Sequence, residues 1–235
     1  MGLPLNLRDR TIHQEKSNRV MEQERIVEVR RRWGKLFVVE TSSGRKYLLI
    51  KEPEVERFLQ YNYEVTGDDR AVLRRASFKA GLNLCYRYLA VRDRSEAEIK
   101  KLLRENGVTD EETIDNLIET LKSRGYCNDR KLVENYIDYV LRNRPSGPHA
   151  IRSKLSRLGI ASQVIEEVIS ERIDEKLERK MATELALRKI GAASDRRKAV
   201  RRINDFLLRR GFSKYIVNDI CSKVLRGEEL EERDE

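Results

Sequence analysis

The sequence predicts a mainly α-helical protein: tandem three-helix repeats in an elongated, curved array, behind a small N-terminal antiparallel β element. Three observations lead there. First, a phrase recurs. Ile99, Leu103 and Gly107 return as Ile151, Leu155 and Gly159, and again as Ile203, Leu207 and Gly211, at a spacing of 52 residues both times. Self-similarity at a fixed period marks a repeat architecture in which each repeat is one supersecondary unit. Second, aromatic residues are only 6% and prolines number four, while apolar residues recur at i, i+3 and i+4 along most of the chain, which is the helical period. Third, between residues 25 and 50 the period switches to two, the period of strands.

The repeated phrase has a physical reading. Ile and Leu four apart lie on one helical face. Glycine just past a helix is the preferred residue for the left-handed turn that ends it. The next residue is apolar each time (Val108, Ile160, Phe212) and can fold back onto the last turn.

In chain order, residues 1–24 are polar and patternless and read as a flexible arm. Residues 25–67 read as a β-meander plus a short helix. Its runs are Ile26, Val27 and Val29, then Leu36 to Val39, then Tyr47 to Ile50, with turns at Trp33-Gly34 and Gly44. The segment with Val55, Phe58 and Leu59 would cover one face. Repeat one, residues 68–127, opens on a helix capped by Asp68 or Asp69, with Gly81 marking a bend or close packing. Ser95 and Glu98 form a capping box for its second helix, and Thr109 and Glu112 one for its third. Repeat two, residues 128–178, starts at Asn128-Asp129, breaks at Pro145 and Pro148, and caps its last helix with Ser162. No stop signal follows until Gly191, so one helix can run into repeat three, residues 179–226, whose last helix is capped by Ser213. Residues 227–235 are an acidic tail.

The net charge is +9. Residues 228–235 contribute −5, leaving +14 on the body. Such a body calls for an acidic or polyanionic partner, with added solubility the plainer use of the same charge. Three separated cysteines and two histidines provide no zinc ligand set. An odd cysteine count without a leader fits a reducing cytoplasm. There is no P-loop, no nucleophile elbow and no His-centred pair, so an enzyme has little support, and neither a cofactor nor a metal is expected.

Four phrases in order make a specific combination. They are R-x-R-S-x-x-E-I-x-x-L-L at residues 92–103, G-Y-x-N-D at 125–129, G-x-x-x-I-x-x-x-L-x-x-x-G-I at 147–160 and R-R-G-F at 209–212. Together they resemble the bacterial RecX regulatory proteins over residues 70–226. The resemblance implies tandem three-helix repeats and binding to the RecA recombinase, chiefly its filament on single-stranded DNA. It further implies inhibition of ATP hydrolysis and strand exchange with no chemistry of the protein's own. The chain is expected to act as a monomer. Two positions depart from the family pattern: Ser146, where a basic residue is common, and Cys127, where an aliphatic one is usual.

The residues themselves point to a basic track on the second helix of each repeat. Repeat one offers Arg94, Lys100, Lys101 and Arg104; repeat two Arg152, Lys154 and Arg157; repeat three Arg196, Arg197, Lys198, Arg201, Arg202, Arg209 and Arg210. Aligned, they would face an acidic protein groove or phosphates; taken singly, each is also an ordinary solvated charge. The motif residues Arg92, Ser95, Glu98, Gly107, Gly125, Tyr126, Asn128, Asp129, Gly147, Gly159 and Gly211 read as mainly structural, with Arg92 or Arg94 a candidate partner for Asp129. Direct nucleic-acid binding as the main role is the alternative function. At Arg30, Arg31, Arg32 and Trp33 two readings stand: contact with nucleic acid, or a solvated strand end beside a core tryptophan.

Overall fold

The computed structural model describes residues 23–190 and 196–230. The chain is mainly helical with a small three-stranded antiparallel sheet near its N-terminus. Strands β1 (Ile26–Arg31), β2 (Leu36–Thr41) and β3 (Lys46–Ile50) run in sheet order β1-β2-β3. A 3-10 helix, Pro53–Leu59, follows. Nine α-helices then appear among the described residues: α1 (Gly67–Leu89), α2 (Glu96–Glu105), α3 (Glu111–Ser123), α4 (Asp129–Asn143), α5 (Pro148–Ser156), α6 (Ser162–Arg172), α7 (Glu175–Ile190), α8 (Arg196–Arg209) and α9 (Lys214–Arg226).

The chain divides into two compact units, one of Met1–Tyr86 with Leu103–Leu117, the other of Arg87–Leu102 with Ile118–Glu235. In the first, alternation along the strands sends Val39, Tyr47 and Leu49 to one face, where they pack with Ile26, Val55, Phe58, Val65 and Leu73. Val38 and Leu48 on the opposite face are buried as well, so this sheet is covered on both sides rather than one. The covering segment after β3 is 3-10, with Val55 and Phe58 buried. The outer edge of β3 is closed by side chains: Lys46 N–H donates to Thr109 Oγ1 (2.9 Å) and Leu48 N–H to Ser77 Oγ (3.2 Å). An edge so occupied cannot template another strand. Residue 24, expected in the arm, is instead anchored. Glu24 is buried, accepts from Arg70 at 2.6 Å, and its carbonyl accepts from Val65 N–H at 2.7 Å. The rest of the expected arm lies outside the described residues.

In the second unit, α4, α5 and α6 pack together, and so do α7, α8 and α9. Their inward residues, among them Val133, Ile151, Leu155, Val168, Ile203, Leu207 and Ile216, form one buried cluster. The repeated phrase becomes one repeated helix end. Gly107, Gly159 and Gly211 take φ of +88°, +76° and +78°. Each donates its N–H to the carbonyl three residues back, and the next residue donates to the carbonyl five back, as in Val108 to Leu103 (2.9 Å) and Phe212 to Leu207 (3.2 Å). That is the Schellman pattern, whose apolar partners sit where Leu103, Leu155 and Leu207 and the residues after each glycine sit. All six of those apolar residues are buried.

Several expected caps move. Thr66 and Asp69 cap α1 reciprocally, Thr66 Oγ1 accepting from Asp69 N–H (3.2 Å) and Asp69 from Thr66 N–H (3.0 Å). Asp110, not Thr109, caps α3 by accepting from Thr113 N–H at 3.0 Å, because Thr109 is engaged with β3. Ser162 is the first residue of α6, with Ala161 at the cap. The run into repeat three is broken. Ile173 is extended at φ −134°, and Asp174 accepts from Leu177 N–H at 2.7 Å to start α7. Gly191 lies outside the described residues. Ser213 sits at the cap of α9 without a side-chain cap bond; its N–H and hydroxyl both donate to buried Glu178 (2.6 and 3.0 Å).

Candidate partner-binding surface

The motif at residues 92–103 is a junction. Ser95 is fully buried. Its Oγ accepts from Glu98 N–H (3.1 Å), Glu98 accepts from Ser95 N–H (3.2 Å), and the hydroxyl proton goes to the Leu158 carbonyl. One side chain therefore caps α2 and ties it to the end of α5. Gly159 fits beside it because a Cβ there would stand 2.4 Å from Ala97 Cβ.

Asn128 caps α4 through Lys131 N–H at 3.0 Å. Asp129 does something else: its Oδ1 accepts from Glu96 N–H (2.9 Å) at the start of α2. Burial, the largest influence, and the neighbouring Glu96 carboxylate hold the Asp129 carboxyl above its ordinary range. Arg92 and Arg94 both pair with Glu98 rather than with Asp129. Arg94 also lies over the Tyr88 ring, 3.9 Å from its centroid. Glu96 bridges Lys100 (3.0 Å) and Lys122 (2.6 Å), and the Lys122 hydrogen bond leads in lowering its carboxyl pKa. Cys127, buried beside these groups, has its thiol pushed up to about 11, chiefly by burial. Gly125 has φ +75° with open space around it, and Tyr126 is exposed.

The basic residues separate into two sets. Some are committed within the protein. Arg104 pairs with Glu111 (2.8 Å), and Arg152 grips Glu166 through Nε (2.6 Å) and Nη2 (2.8 Å). Arg157 and Arg209 each donate to a carbonyl four residues back, in Ser153 and Asp205. Arg210 donates to the Pro145 carbonyl at 3.1 Å and lies 5.3 Å from the Phe206 ring centroid. Near it, Gly147 N–H donates to the Arg210 carbonyl and His149 N–H to that of Gly211 (2.9 and 3.1 Å). The other set is on display. Lys101, Lys154, Arg196, Arg197, Lys198, Arg201 and Arg202 are all exposed. Lys154, Arg196, Arg201 and Arg202 have no ion pair to a described residue.

Five of these lie in the first two turns of α8, whose first turn holds no acid. Cations at a helix N-terminus oppose the macrodipole, each at some tenths of a kcal/mol. Ala199 and Ile203 point inward between them, so the basic residues occupy the outer arc. Sequence reasoning missed the carboxylates that engage Arg104 and Arg152, Glu111 and Glu166. Neither lies at i+4 from its arginine, so only packing shows the pairs.

The model of the RecX first three-helix domain matches residues 82–126. "Regulatory protein RecX" of Lactococcus lactis subsp. cremoris (strain MG1363) is 26% identical over 191 residues, covering 81% of this chain and 71% of that one. The protein of the same name from Streptococcus gordonii is 28% identical over 134 residues, covering 57% and 52%. Two crystal structures share the fold. One is of a regulatory protein RecX (TM-score 0.55, 19% identity, covering 85% of this chain and 99% of that one). The other is RecX from Lactobacillus salivarius (TM-score 0.57, 25% identity, covering 63% and 97%). The chain is thus similar to RecX proteins in sequence over most of its length and in fold. The phrases at 92–103 and 125–129 that carry the resemblance to RecX are the junction residues described above, so they are largely architectural.

Among the described residues there is no group of three or more potential metal ligands, and no helix is long and apolar enough to cross a membrane.

Proposed function

We propose that this chain is a non-enzymatic cytoplasmic regulator that binds the RecA recombinase on single-stranded DNA and lowers its ATPase and strand-exchange activity. In that role it would modulate recombination, DNA repair and the SOS response. Similarity to proteins named regulatory protein RecX is the first support. The observation on the chain itself that carries the reading is α8, where Arg196, Arg197, Lys198, Arg201 and Arg202 crowd the helix's positive end. Local electrostatics disfavours that placement, and an acidic groove on a partner would offset it. Arg104, Arg152 and Arg210 tie one element to another, while the displayed cations steer encounter and orientation.

DNA-dependent ATP hydrolysis by the cognate recombinase tests this, with the chain added below and then near the recombinase concentration, and with DNA in excess as a control. Inhibition that survives excess DNA is the expected result. Inhibition that excess DNA abolishes would favour the second reading, a basic helical protein whose main role is binding nucleic acid. The same exposed cations support that reading, and it predicts a steep salt dependence.

A further inference from the structure

The hairpin joining β1 to β2 combines three features. Trp33, the chain's only tryptophan, sits at its tip and is 42% exposed, so it is not a core residue. The turn beneath it is closed by hydrogen bonds: Leu36 N–H donates to the Trp33 carbonyl (3.0 Å), Arg32 N–H to the Leu36 carbonyl (2.9 Å), and Gly34 takes φ +56°. The cations around it are placed without being neutralised. Arg31 donates to the Gly34 carbonyl from Nε and Nη2 (3.3 and 3.2 Å), and Arg32 to the Glu105 carbonyl (3.0 Å).

A carbonyl orients a guanidinium but leaves its charge, and five N–H donors leave several pointing outward. Lys35 is exposed, and neither it nor the two arginines pairs with a carboxylate among the described residues. The hairpin's own acids are taken: Glu28 pairs with Arg30 and Glu40 with Lys46. By contrast, exposed Tyr215 lies beside the Glu175 carboxylate. An exposed indole with cations beside it in sequence, none paired with a carboxylate among the described residues, on a hydrogen-bonded turn, suits a stacked base flanked by phosphates.

We propose that the β1–β2 hairpin is a contact site for single-stranded nucleic acid, with a base stacking on Trp33 and flanking phosphates meeting Arg31, Arg32 and Lys35. The site shares no residue with α8 and needs no recombinase. Because the tryptophan is unique, its emission reports on the site directly in the full-length chain.

The test is a titration with a dT oligomer of about 15 nucleotides, long enough for the site sizes such surfaces use, or with its rU counterpart. Tryptophan emission and anisotropy of an end-labelled strand are followed together. Quenching by either strand that saturates with the anisotropy supports the site. Trp33→Phe should then bind within about two-fold of the parent, and Trp33→Ala about five-fold or more weakly, as losing one stacked base implies. Lys35→Gln should reduce the slope of log K against log salt by roughly 0.7, one single-strand phosphate contact. Thermal melts equal to the parent's would show that the exposed substitutions leave the fold intact. Absence of saturable binding would overturn the proposal. So would unchanged emission at saturation, equal quenching by heparin, which has no bases, or Trp33→Ala binding within two-fold of the parent.

Discussion

Ser95 shows how much one side chain can hold. It accepts from Glu98 N–H, donates to the Leu158 carbonyl, and is fully buried. Ser95→Ala removes a cap and leaves a buried carbonyl without its donor. The expected loss is about 2–3 kcal/mol in urea denaturation; a loss below about 1 kcal/mol would mean that Leu158 finds another donor. Glu96 sets a pH response nearby. Its folded pKa lies below the ordinary 4.5, first through the Lys122 hydrogen bond. A lowered carboxylate contributes stability that is complete above its unfolded pKa and lost as pH falls through the folded one. Stability should therefore decline as pH drops below about 4.5, and Glu96→Gln should flatten that decline in denaturant melts taken across the acid range. Asp129 acts in the opposite sense: its raised pKa makes the ionised form relatively costly in the folded chain. Asp129→Asn keeps an acceptor for Glu96 N–H and should cost little at neutral pH, whereas Asp129→Ala should cost about 1 kcal/mol, as other lost caps do.

Among the elements, helix ends carry most of the specificity. The same glycine-terminated turn closes α2, α5 and α8, yet the glycines in and around these ends are constrained for different reasons. Gly147 has an ordinary φ of −74°, but a Cβ there would stand 2.3 Å from the Gly211 carbonyl oxygen. Backbone cannot yield as a side-chain tip does, so Gly147→Ala should cost about 3 kcal/mol, the upper end of overpacking. Gly125 has the left-handed conformation with nothing near its missing Cβ. Gly125→Ala should cost only about 1–2 kcal/mol, the strain of that conformation. Thermal melts of the two variants would separate the causes, and equal losses would contradict this account. Helix starts were less legible. Thr109 and Ser162 have the right chemistry for caps, but Asp110 and Ala161 occupy those positions. The serine and threonine signals are correct to within a residue. Which neighbour serves depends on what else competes for the side chain, as β3 does for Thr109.

For the molecule as a whole, the proposed function makes the displayed cations of α8 matter more than net charge. Replacing Arg201 and Arg202 together by Ala should leave the thermal midpoint nearly unchanged, since both are exposed and without an ion pair to a described residue. On the proposed function it should weaken inhibition of the recombinase ATPase several-fold and lower its salt sensitivity. Replacing Arg152 by Ala should instead lower stability by up to about 1 kcal/mol, since its charge is engaged by Glu166 at a half-exposed surface. Inhibition lost equally in both variants would argue against the division between committed and displayed cations.

By itself the sequence determined the helical class, the three-stranded meander, the recurring Ile-Leu-Gly-apolar helix end and the resemblance to RecX proteins. All of these rest on local rules: periodicity, the conformational freedom of glycine, and the chemistry of turns. Tertiary structure decided which side of each local rule prevailed. It placed Trp33 on the surface, gave both sheet faces a cover, ended α6 at Ile173 without glycine or proline, and turned Asp129 toward α2. It also divided one row of basic residues into structural and displayed sets. Those outcomes depend on groups distant in sequence competing for the same carboxylates, carbonyls and apolar space, and that competition is settled only when the chain is packed.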